Sequence, residues 1–423
     1  MTAPAHRRTA LVVVVAAAAT FALLAWWRVP WDVVPGGRLQ PVPADQVYSS
    51  AEIQRAEEYA RWARLWSRSS LVVSVVLAGW LGFGRTGRTL VARLPGRWWL
   101  QVPLAVLTLA VIARVVTLPF AVALRRHQLD YGLSTQGWAG FARDLVLHEA
   151  VQVVVTSLGL LALIFCMRRW RRRWPAIAGA TLGVLVLLGS FVYPVLVEPL
   201  FSSFTPLPDG DLRSRILAVA AEEGVQVDDV LVADASRRTT TLNAYVSGFG
   251  STRRVVVYDT LVDDLSTDQA VSVVAHELTH ARYDDVLTGS LLGACGAALA
   301  VGLLGLLLGR RPEDADEPQA PELPVDGRVV PRVLALLAIG TLLASPVQNT
   351  VSRQIETRAD LGALEATRDP EAFISMQREL GLRSLADPTP STWSQVWFGS
   401  HPTGLTRIAL AERMAQRMSG SGS

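Results

Sequence analysis

The run His276-Glu277-Leu278-Thr279-His280 places two imidazoles and a carboxylate at a spacing suited to metal chemistry. On a helix, residues four apart lie on one face, so His276 and His280 can both reach one ion. Zinc binds imidazole nitrogen at about 2.0–2.1 Å, and a catalytic site uses three protein ligands with water in the fourth position. Glu277 follows the first ligand and can take a proton from that water as general base. The run therefore predicts one catalytic Zn²⁺ per chain.

A third metal ligand must come from another segment, and the charged helical stretch from Ser352 to Asp360 offers the best candidate. Glu356 and Asp360 lie one helical turn apart on the same face of this stretch. We expect Glu356 to bind the ion and Asp360 to accept a hydrogen bond from the far ring nitrogen of His276. The alternative interpretation is an ordinary charged helix without a metal.

The elements that position these side chains are unusually apolar. Half of the 423 residues are hydrophobic and the mean hydropathy is +0.31, which is typical of a membrane protein rather than a water-soluble one. Each apolar run has about the length needed to cross 30 Å of hydrocarbon, although the second is short. Seven spans are predicted, at about 10–27, 70–84, 100–124, 145–167, 176–197, 286–308 and 331–348.

The charge and cysteine patterns exclude other classes of partner and site. All the side-chain basic residues except histidine are Arg, and they are spread over several short loops, as expected for signals of membrane topology. No compact basic face with interleaved aromatic residues is present, so nucleic acid is not expected as a partner. Cys166 and Cys295 both lie in apolar runs, which indicates neither a disulfide nor a thiolate metal site.

The order of apolar and polar segments predicts the domain organisation. An amphipathic stretch at 51–66 is expected to form a helix that lies against the bilayer or the bundle. The longest polar stretch reads as an α+β unit, with a helix at 211–223 and strand-like runs before the HELTH helix. We expect four parts: 1–197, a membrane region with about five spans; 198–285, a zinc-protease domain; 286–349, two further spans with a disordered loop at 309–328; and 350–423, a C-terminal helical part that supplies the third ligand.

Three motifs in order, HELTH, SRQIETRAD and SHPTGLTRI, resemble those of the membrane zinc proteases typified by the type I CAAX prenyl endopeptidase and the HtpX-like heat-shock protease. Further similarity at 131–136, 198–201 and 243–245 extends the resemblance over about residues 125–410 and favours the CAAX-protease branch. One departure is Asp285, which stands where the prenyl proteases carry another His. The general expectation is therefore an endopeptidase acting on membrane-associated or extended polypeptides, with CAAX processing of lipidated C-termini as the alternative.

The resemblance also implies a fold and additional site residues. It implies a mostly α, seven-span membrane bundle that encloses a chamber and carries a gluzincin-like α+β metalloprotease domain. It implies that the strand at Asn243, Ala244 and Tyr245 pairs with the main chain of a substrate. It further implies that His401 and Arg407 lie near the zinc and stabilise the oxyanion of the tetrahedral intermediate. The alternatives are an ordinary strand, a helix cap and a surface charge.

Two other functions remain open at this point. In a catalytically inactive membrane scaffold or transporter, an intramembrane charge such as Arg114 would mark a substrate pathway. A protease that cleaves inside the bilayer is the other. We expect a multi-pass protein of a bacterial cell membrane, with the lipid bilayer and a polypeptide substrate as partners. The distribution of Arg places the zinc domain outside the cell, whereas the resemblance places it in the cytosol.

Overall fold

The computed structural model describes residues 6–248, 250, 253–308 and 325–420. Its helices are α1 (Arg7–Arg28), α2 (Ala44–Val47), α3 (Ser50–Phe83), α4 (Arg85–Ala92), α5 (Trp98–Asp130), α6 (Trp138–Arg169), α7 (Trp174–Leu196), α8 (Glu198–Phe201), α9 (Asp211–Glu222), α10 (Asp259–Asp264), α11 (Thr267–Arg282), α12 (Asp285–Leu307), α13 (Val330–Thr367), α14 (Pro370–Ser384), α15 (Thr392–Phe398) and α16 (Gly404–Gly420). Its strands are β1 (Phe204–Pro206), β2 (Asp229–Ala233), β3 (Ala244–Ser247) and β4 (Arg254–Tyr258).

Seven helices in the described part of the chain are long and apolar enough to cross a membrane, which confirms the predicted number of spans. They are α1, α3, α5, α6, α7, α12 and α13. Neighbouring helices pack in the order α13, α3, α5, α6, α7 and α12, and α12 contacts α13 again, so six of them close a ring. Helix α1 packs outside this sequence of neighbours, against α12 and α7. The chamber that such a ring would enclose stays an expectation.

The second span is longer than the sequence suggested. The amphipathic stretch at 51–66 and the apolar run at 70–84 form one continuous helix, α3, of 34 residues. A capping box fixes its start, because the Ser49 hydroxyl accepts from the Glu52 amide and the Glu52 carboxylate accepts from the Ser49 amide. The polar half of α3 thus extends the span beyond its apolar half rather than forming a separate surface helix.

The seventh span and the segment with Glu356 are also one helix. Helix α13 runs for 38 residues, so the expected division at 349/350 falls inside a single rigid element. Most of the expected loop at 309–328 lies outside the described residues; Gly327–Val329 form a short 3₁₀ turn that leads into α13. Glu356 is therefore carried by the same helix as the seventh span.

The polar domain contains a mixed four-stranded sheet in the order β1-β2-β4-β3. The parallel β2–β4 pair lies in the middle, and β1 and β3 add antiparallel strands at the two sides. The strand-like runs and the helix at 211–223 are found as expected, whereas the three-residue β1 was not predicted. A core of buried aliphatic residues joins one face of the sheet to α9, α11, α14 and α16. The sheet thereby supports α11, which carries HELTH.

Two charged groups inside the membrane ring are partners. Arg114 of α5 donates from Nε to Oε1 of Glu149 on α6 at 2.8 Å, and a second guanidinium nitrogen contacts the same carboxylate. Charges at membrane depth are expensive unless they are paired. Arg114 therefore has a carboxylate partner on the neighbouring helix.

Candidate metal centre

Helix α11 is fixed at both ends. Ser266 and Gln269 form a capping box at its N-terminus. Its buried aliphatic face packs on the sheet, so His276, Glu277 and His280 are directed away from that core. After the helix ends at Arg282, Asp284 adopts a left-handed conformation with φ of 52°, and α12 begins at the next residue. This sharp junction places the start of α12 beside the end of α11.

The structure brings the three predicted ligands, His276, His280 and Glu356, together. The two Nε2 atoms lie 3.2 Å apart. His276 Nε2 is 3.2 Å from Glu356 Oε2, and His280 Nε2 is 3.6 Å from Glu356 Oε1. One donor atom from each residue fits within a common distance of 4.8 Å. Two imidazole nitrogens and a carboxylate oxygen thus converge on one point.

This arrangement of donor atoms fits a zinc ion. Ligands about 2.0–2.1 Å from a tetrahedral metal lie about 3.3 Å from one another, which is close to the observed separations. Oε2 of Glu356 is buried and makes no hydrogen bond, so this carboxylate oxygen is an unsatisfied acceptor within the cluster. The Nδ1 atom of each ring lies next to a carboxylate that can accept its proton, which leaves the two Nε2 lone pairs facing each other. A cation satisfies all three donors at once.

The structure places Asp360 beside the far ring nitrogen of His276. Its Oδ1 lies 2.9 Å from Nδ1 of His276, and its side chain is only 1% exposed. Arg407 binds the same carboxylate, with Nε 2.8 Å from Oδ2 and 3.0 Å from Oδ1. Burial disfavours the charged imidazolium, but the neighbouring carboxylates of Asp360 and Glu356 outweigh it and raise the pKa of His276 to about 9. Where no metal is held, this ring therefore binds a proton at neutral pH.

A second carboxylate, which the sequence reasoning assigned no role, holds the other histidine. Oδ2 of Asp285 lies 3.0 Å from Nδ1 of His280. Asp285 also accepts from Arg358 of α13, whose guanidinium lies over the Tyr283 ring at 4.2 Å from its centroid. The available signal was the spacing of Asp285, five residues after His280, but its reach depends on the junction at Asp284. Both imidazoles thus have a carboxylate behind them, as second partners of metal-binding histidines usually do.

Gly362 allows α13 to approach α11 closely enough for these contacts. A Cβ at this position would lie 2.5 Å from both Oγ1 and Cγ2 of Thr279, which is the fourth residue of HELTH. Real Cβ atoms do not come so close, so one of the helices would have to shift. The sequence reasoning missed Gly362, since a helical glycine carries no signal about its neighbour.

Glu277 lies in a cavity of about 370 Å³ that also borders His280 and Glu356. Burial raises the pKa of the Glu277 carboxyl, and the negative charge of Glu356 adds to this effect against the opposing histidines. A raised pKa brings a carboxylate nearer to the value suited to proton transfer at neutral pH. The cavity extends from these groups to Tyr245 and Val246 on strand β3.

The structure places His401 beside the cluster and Arg407 behind it. His401 Nε2 is 3.3 Å from Glu356 Oε2, and its side chain is 58% exposed. Burial lowers the pKa of His401 from its usual value, so the ring favours the neutral form. Arg407 Nη2 lies 3.3 Å from Nδ1 of His276, on the side of the ring opposite Nε2. The expected roles of both residues at the oxyanion stay predictions.

The loop that carries His401 is tied to α13. Arg353 donates to the carbonyl groups of Gln395 and Gly399, at 3.0 and 2.6 Å. Asn349, one turn earlier, donates to the Trp397 carbonyl at 2.7 Å. These bonds satisfy the free carbonyls at the end of α15 and hold His401 close to Glu356, which belongs to the same helix as Arg353.

The expected substrate strand is the edge strand β3, which begins at Ala244. Only one of its sides is paired within the described sheet, with β4. Asn243 accepts from the Tyr258 amide at 3.0 Å, which anchors the start of the strand. Tyr245 faces Glu198, and burial together with this carboxylate raises the pKa of the Tyr245 hydroxyl. The location of β3 at the cavity is compatible with strand pairing by a substrate, which stays a prediction.

Comparison with known protein families identifies two matching regions. The profile described as peptidase family M48 matches residues 206–415, and the profile described as CAAX prenyl protease N-terminal, five membrane helices, matches residues 37–203. The first region contains every proposed metal-site residue. Together the two regions span most of the chain.

Individual relatives agree with these two family matches. The Bacillus subtilis protein named uncharacterized metalloprotease YhfN is 29% identical over 73% of this chain and 72% of its own length. The Arabidopsis thaliana protein named CAAX prenyl protease 1 homolog is 35% identical over 41% of this chain and 43% of its own length. The crystal structure of S. mikatae Ste24p superposes with a TM-score of 0.76 at 19% identity, and the match covers 96% of this chain and 99% of that one. The last comparison shows the shared fold.

Proposed function

Because this chain belongs to the CAAX prenyl protease branch of peptidase family M48, and is a multi-pass membrane metallopeptidase, we propose that it uses one Zn²⁺ held by His276, His280 and Glu356. The observation that carries the assignment is the convergence of these three donors, with the Glu356 oxygen buried and unsatisfied. The reaction is hydrolysis of internal peptide bonds in membrane-associated or extended polypeptides.

Glu277 acts as general base in this proposal. Zinc supplies Lewis acidity toward water and the scissile carbonyl. The Glu277 carboxylate accepts the proton of the attacking water and passes it to the nitrogen of the leaving amine. Its position in the cavity with His280 and Glu356, and the upward shift of its pKa by burial, support this role.

The other residues orient the metal ligands and stabilise the charge that develops on the substrate. Asp360 and Asp285 fix the two imidazole rings through their Nδ1 atoms, and Arg407 keeps Asp360 ionised and in place. Neutral His401, next to Glu356, can donate a hydrogen bond to the carbonyl oxygen as it gains negative charge. An extended substrate would add to β3 through main-chain hydrogen bonds, which tolerates varied side chains.

A second candidate is processing of lipidated CAAX C-termini. Its support is the match of the CAAX prenyl protease N-terminal profile and the names of the plant relatives. The similarity to a B. subtilis protein supports the narrower proposal that this enzyme works in a bacterial cell membrane. A cleavage assay on one peptide, with and without a farnesyl group on its C-terminal CAAX cysteine, separates the two candidates. Equal kcat/KM for both forms favours the general peptidase.

The metal assignment is tested on purified protein in detergent. We expect about one zinc per chain by mass spectrometry, loss of cleavage after chelation, and recovery on adding back stoichiometric zinc. Protein that cleaves at full rate after complete removal of metal would contradict the proposal.

A further inference from the structure

A groove of about 680 Å³ runs along one face of α3, where the polar half of this helix meets its apolar half. Arg61, Arg64 and Arg68 line one part of it, at helical spacings that place them on the same side. Leu65 and Val72 line the remainder and are 47% and 60% exposed. The groove thus combines a cationic end with an apolar floor.

Most of the positive charge in this groove is not neutralised by the protein. Arg64 pairs with Asp387. Arg68 donates to the Ser394 hydroxyl at 2.6 Å and lies over the rings of Trp393 and Phe398, which carry no charge. Among the described residues, neither Arg61 nor Arg68 has a carboxylate within ion-pair distance. Two guanidinium groups are therefore available to an anion.

The groove has the dimensions and surroundings of a lipid at the membrane boundary. Val72 lies eleven positions after Arg61, or about 16 Å along a helix at 1.5 Å per residue, comparable to half of the hydrocarbon core. Stacked tryptophans flank its cationic end, Trp62 with Trp66 on α3 and Trp393 with Trp397 on α15. Tryptophan is enriched at the headgroup level of bilayers.

We propose that this groove binds one anionic glycerophospholipid of the surrounding bilayer. The phosphodiester contacts Arg61 and Arg68, because guanidinium groups bind phosphate oxygens with two parallel hydrogen bonds. An acyl chain follows Leu65 and Val72 toward the membrane interior. A zwitterionic headgroup adds an ammonium group that two unpaired arginines repel, so the site prefers a lipid such as phosphatidylglycerol.

The test compares lipid preference between variants of the full-length protein. Wild type, Arg61→Gln/Arg68→Gln and a control, Arg85→Gln/Arg88→Gln, are reconstituted in nanodiscs with equal phosphatidylglycerol and phosphatidylcholine, and lipids that stay bound are identified by native mass spectrometry. The control removes the same charge from exposed positions on α4. We expect the preference for phosphatidylglycerol to fall about 10- to 30-fold in the groove variant, since each arginine near an anionic surface contributes about fivefold. The control should lose much less of the preference, because Arg85 and Arg88 do not line the groove and cannot make paired hydrogen bonds to a phosphodiester held there.

Three additional measurements distinguish a lipid site from a general loss of charge, from misfolding and from a site for free phosphate. Arg61→Lys/Arg68→Lys keeps the charge but loses the paired guanidinium hydrogen bonds, so it should lose part of the preference. The denaturant midpoint in detergent reports whether each variant is folded. If the double variant fails to fold, exposed Arg61→Gln alone should lower the preference about fivefold. Water-soluble glycerol phosphate should not displace the lipid.

Several results would overturn the lipid site. These are equal losses in groove and control variants, an unchanged preference in the groove variant, and displacement by glycerol phosphate. A further one is a raised KM for peptides with a free C-terminal carboxylate together with unchanged lipid retention, which would assign the groove to substrate. None of these outcomes depends on the identity of the metal or the base.

Discussion

The two histidines of the proposed metal centre are held by carboxylates of different origin. His276 is backed by Asp360, which lies on α13, a membrane helix distant in sequence. His280 is backed by Asp285, which lies five residues along the chain at the start of α12. Each carboxylate is in turn bound by an arginine, Arg407 or Arg358. We call these two chains of contacts the Asp360 arm and the Asp285 arm.

The arms differ less in burial than in the other contacts of their arginines, because the side chains of Arg407 and Arg358 are 13% and 14% exposed and Asp285 is only 7% exposed. Asp360 is 1% exposed and is bound by both Nε and Nη2 of Arg407, which is itself largely buried. Asp285 borders the cavity, and Arg358 has a second partner in the half-exposed Tyr283 ring. Loss of Asp360 leaves a buried cation without its anion, whereas loss of Asp285 leaves a cation that keeps an aromatic contact. The same hydrogen bond to an imidazole thus has different consequences for stability.

Removal of a metal-binding side chain lowers zinc affinity whichever arm it belongs to, and it has the largest expected effect. His276→Ala, His280→Ala and Glu356→Ala should each weaken zinc affinity by about 1,000-fold or more, because a site of three protein ligands loses a major share of its binding free energy. Competition titration with a chromogenic chelator measures this. Wild-type affinity in Glu356→Ala would mean that another residue is the third ligand.

Replacement of the two aspartates separates the arms. Asp360→Asn and Asp285→Asn should each weaken zinc affinity by about 10- to 100-fold. Asp360→Asn should destabilise the metal-free protein more, by about 3–5 kcal/mol, since Arg407 is then buried without a carboxylate. Asp285→Asn should cost about 1–3 kcal/mol. Denaturant unfolding in detergent measures the difference, and equal losses would contradict the contrast drawn between the arms.

A double variant is the matched control for that contrast. If the cost of Asp360→Asn comes from the stranded cation, Asp360→Asn/Arg407→Gln should be more stable than the sum of the two single variants by at least about 1 kcal/mol. Additive losses would show that Asp360 and Arg407 are not coupled.

The dependence of metal binding on pH sharpens the comparison further. With its pKa raised to about 9, His276 must lose a proton before it binds metal, so zinc affinity should fall about tenfold per pH unit below that value. About one proton should be released on binding at pH 7, measurable by calorimetry in buffers of different ionisation enthalpy. Asp360→Asn removes the hydrogen bond and charge that raise this pKa, so it should reduce the release. Zinc binding without proton release in the wild type would contradict the arrangement at Nδ1.

Gly362→Ala has the smallest expected effect and bears mainly on one arm. The added methyl pushes α13 away from Thr279, which moves Glu356 and Asp360 while Asp285 stays on α12. We expect a stability loss of about 1–3 kcal/mol and only a several-fold weaker zinc affinity. Gly293→Ala, where the nearest atom to the new Cβ is a valine methyl at 3.4 Å, serves as control on another helix. Unchanged affinity and stability in Gly362→Ala would show that the close approach is not needed.

The sequence predicted the Asp360 arm better than the Asp285 arm for a physical reason. Helical periodicity alone relates His276 to His280 and Glu356 to Asp360, so each pair is readable without knowledge of the fold. Asp285 reaches His280 only because Asp284 adopts a left-handed conformation that is uncommon outside glycine. That conformation is set by tertiary contacts, including an ion pair between Arg253 and Asp284.

The same distinction applies to the fold. Spans were predicted from length and hydropathy, because a membrane helix needs about 20 apolar residues. The ends of the spanning helices were not predicted, because α3 and α13 continue through polar segments that hydropathy marks as boundaries. The pairing of β1, only three residues long, depends on its neighbour β2 rather than on its own pattern. Contacts between distant segments, such as Gly362 with Thr279, leave no periodic signal.

The central claim is that Glu277 moves a proton while the three other residues hold the metal. The most direct test is Glu277→Gln, assayed for zinc content and peptide cleavage on the same purified sample. We expect about one zinc per chain and a loss of kcat of at least about 100-fold, in the range that general-base catalysis contributes. Loss of zinc from this variant, or cleavage at the wild-type rate, would contradict the account.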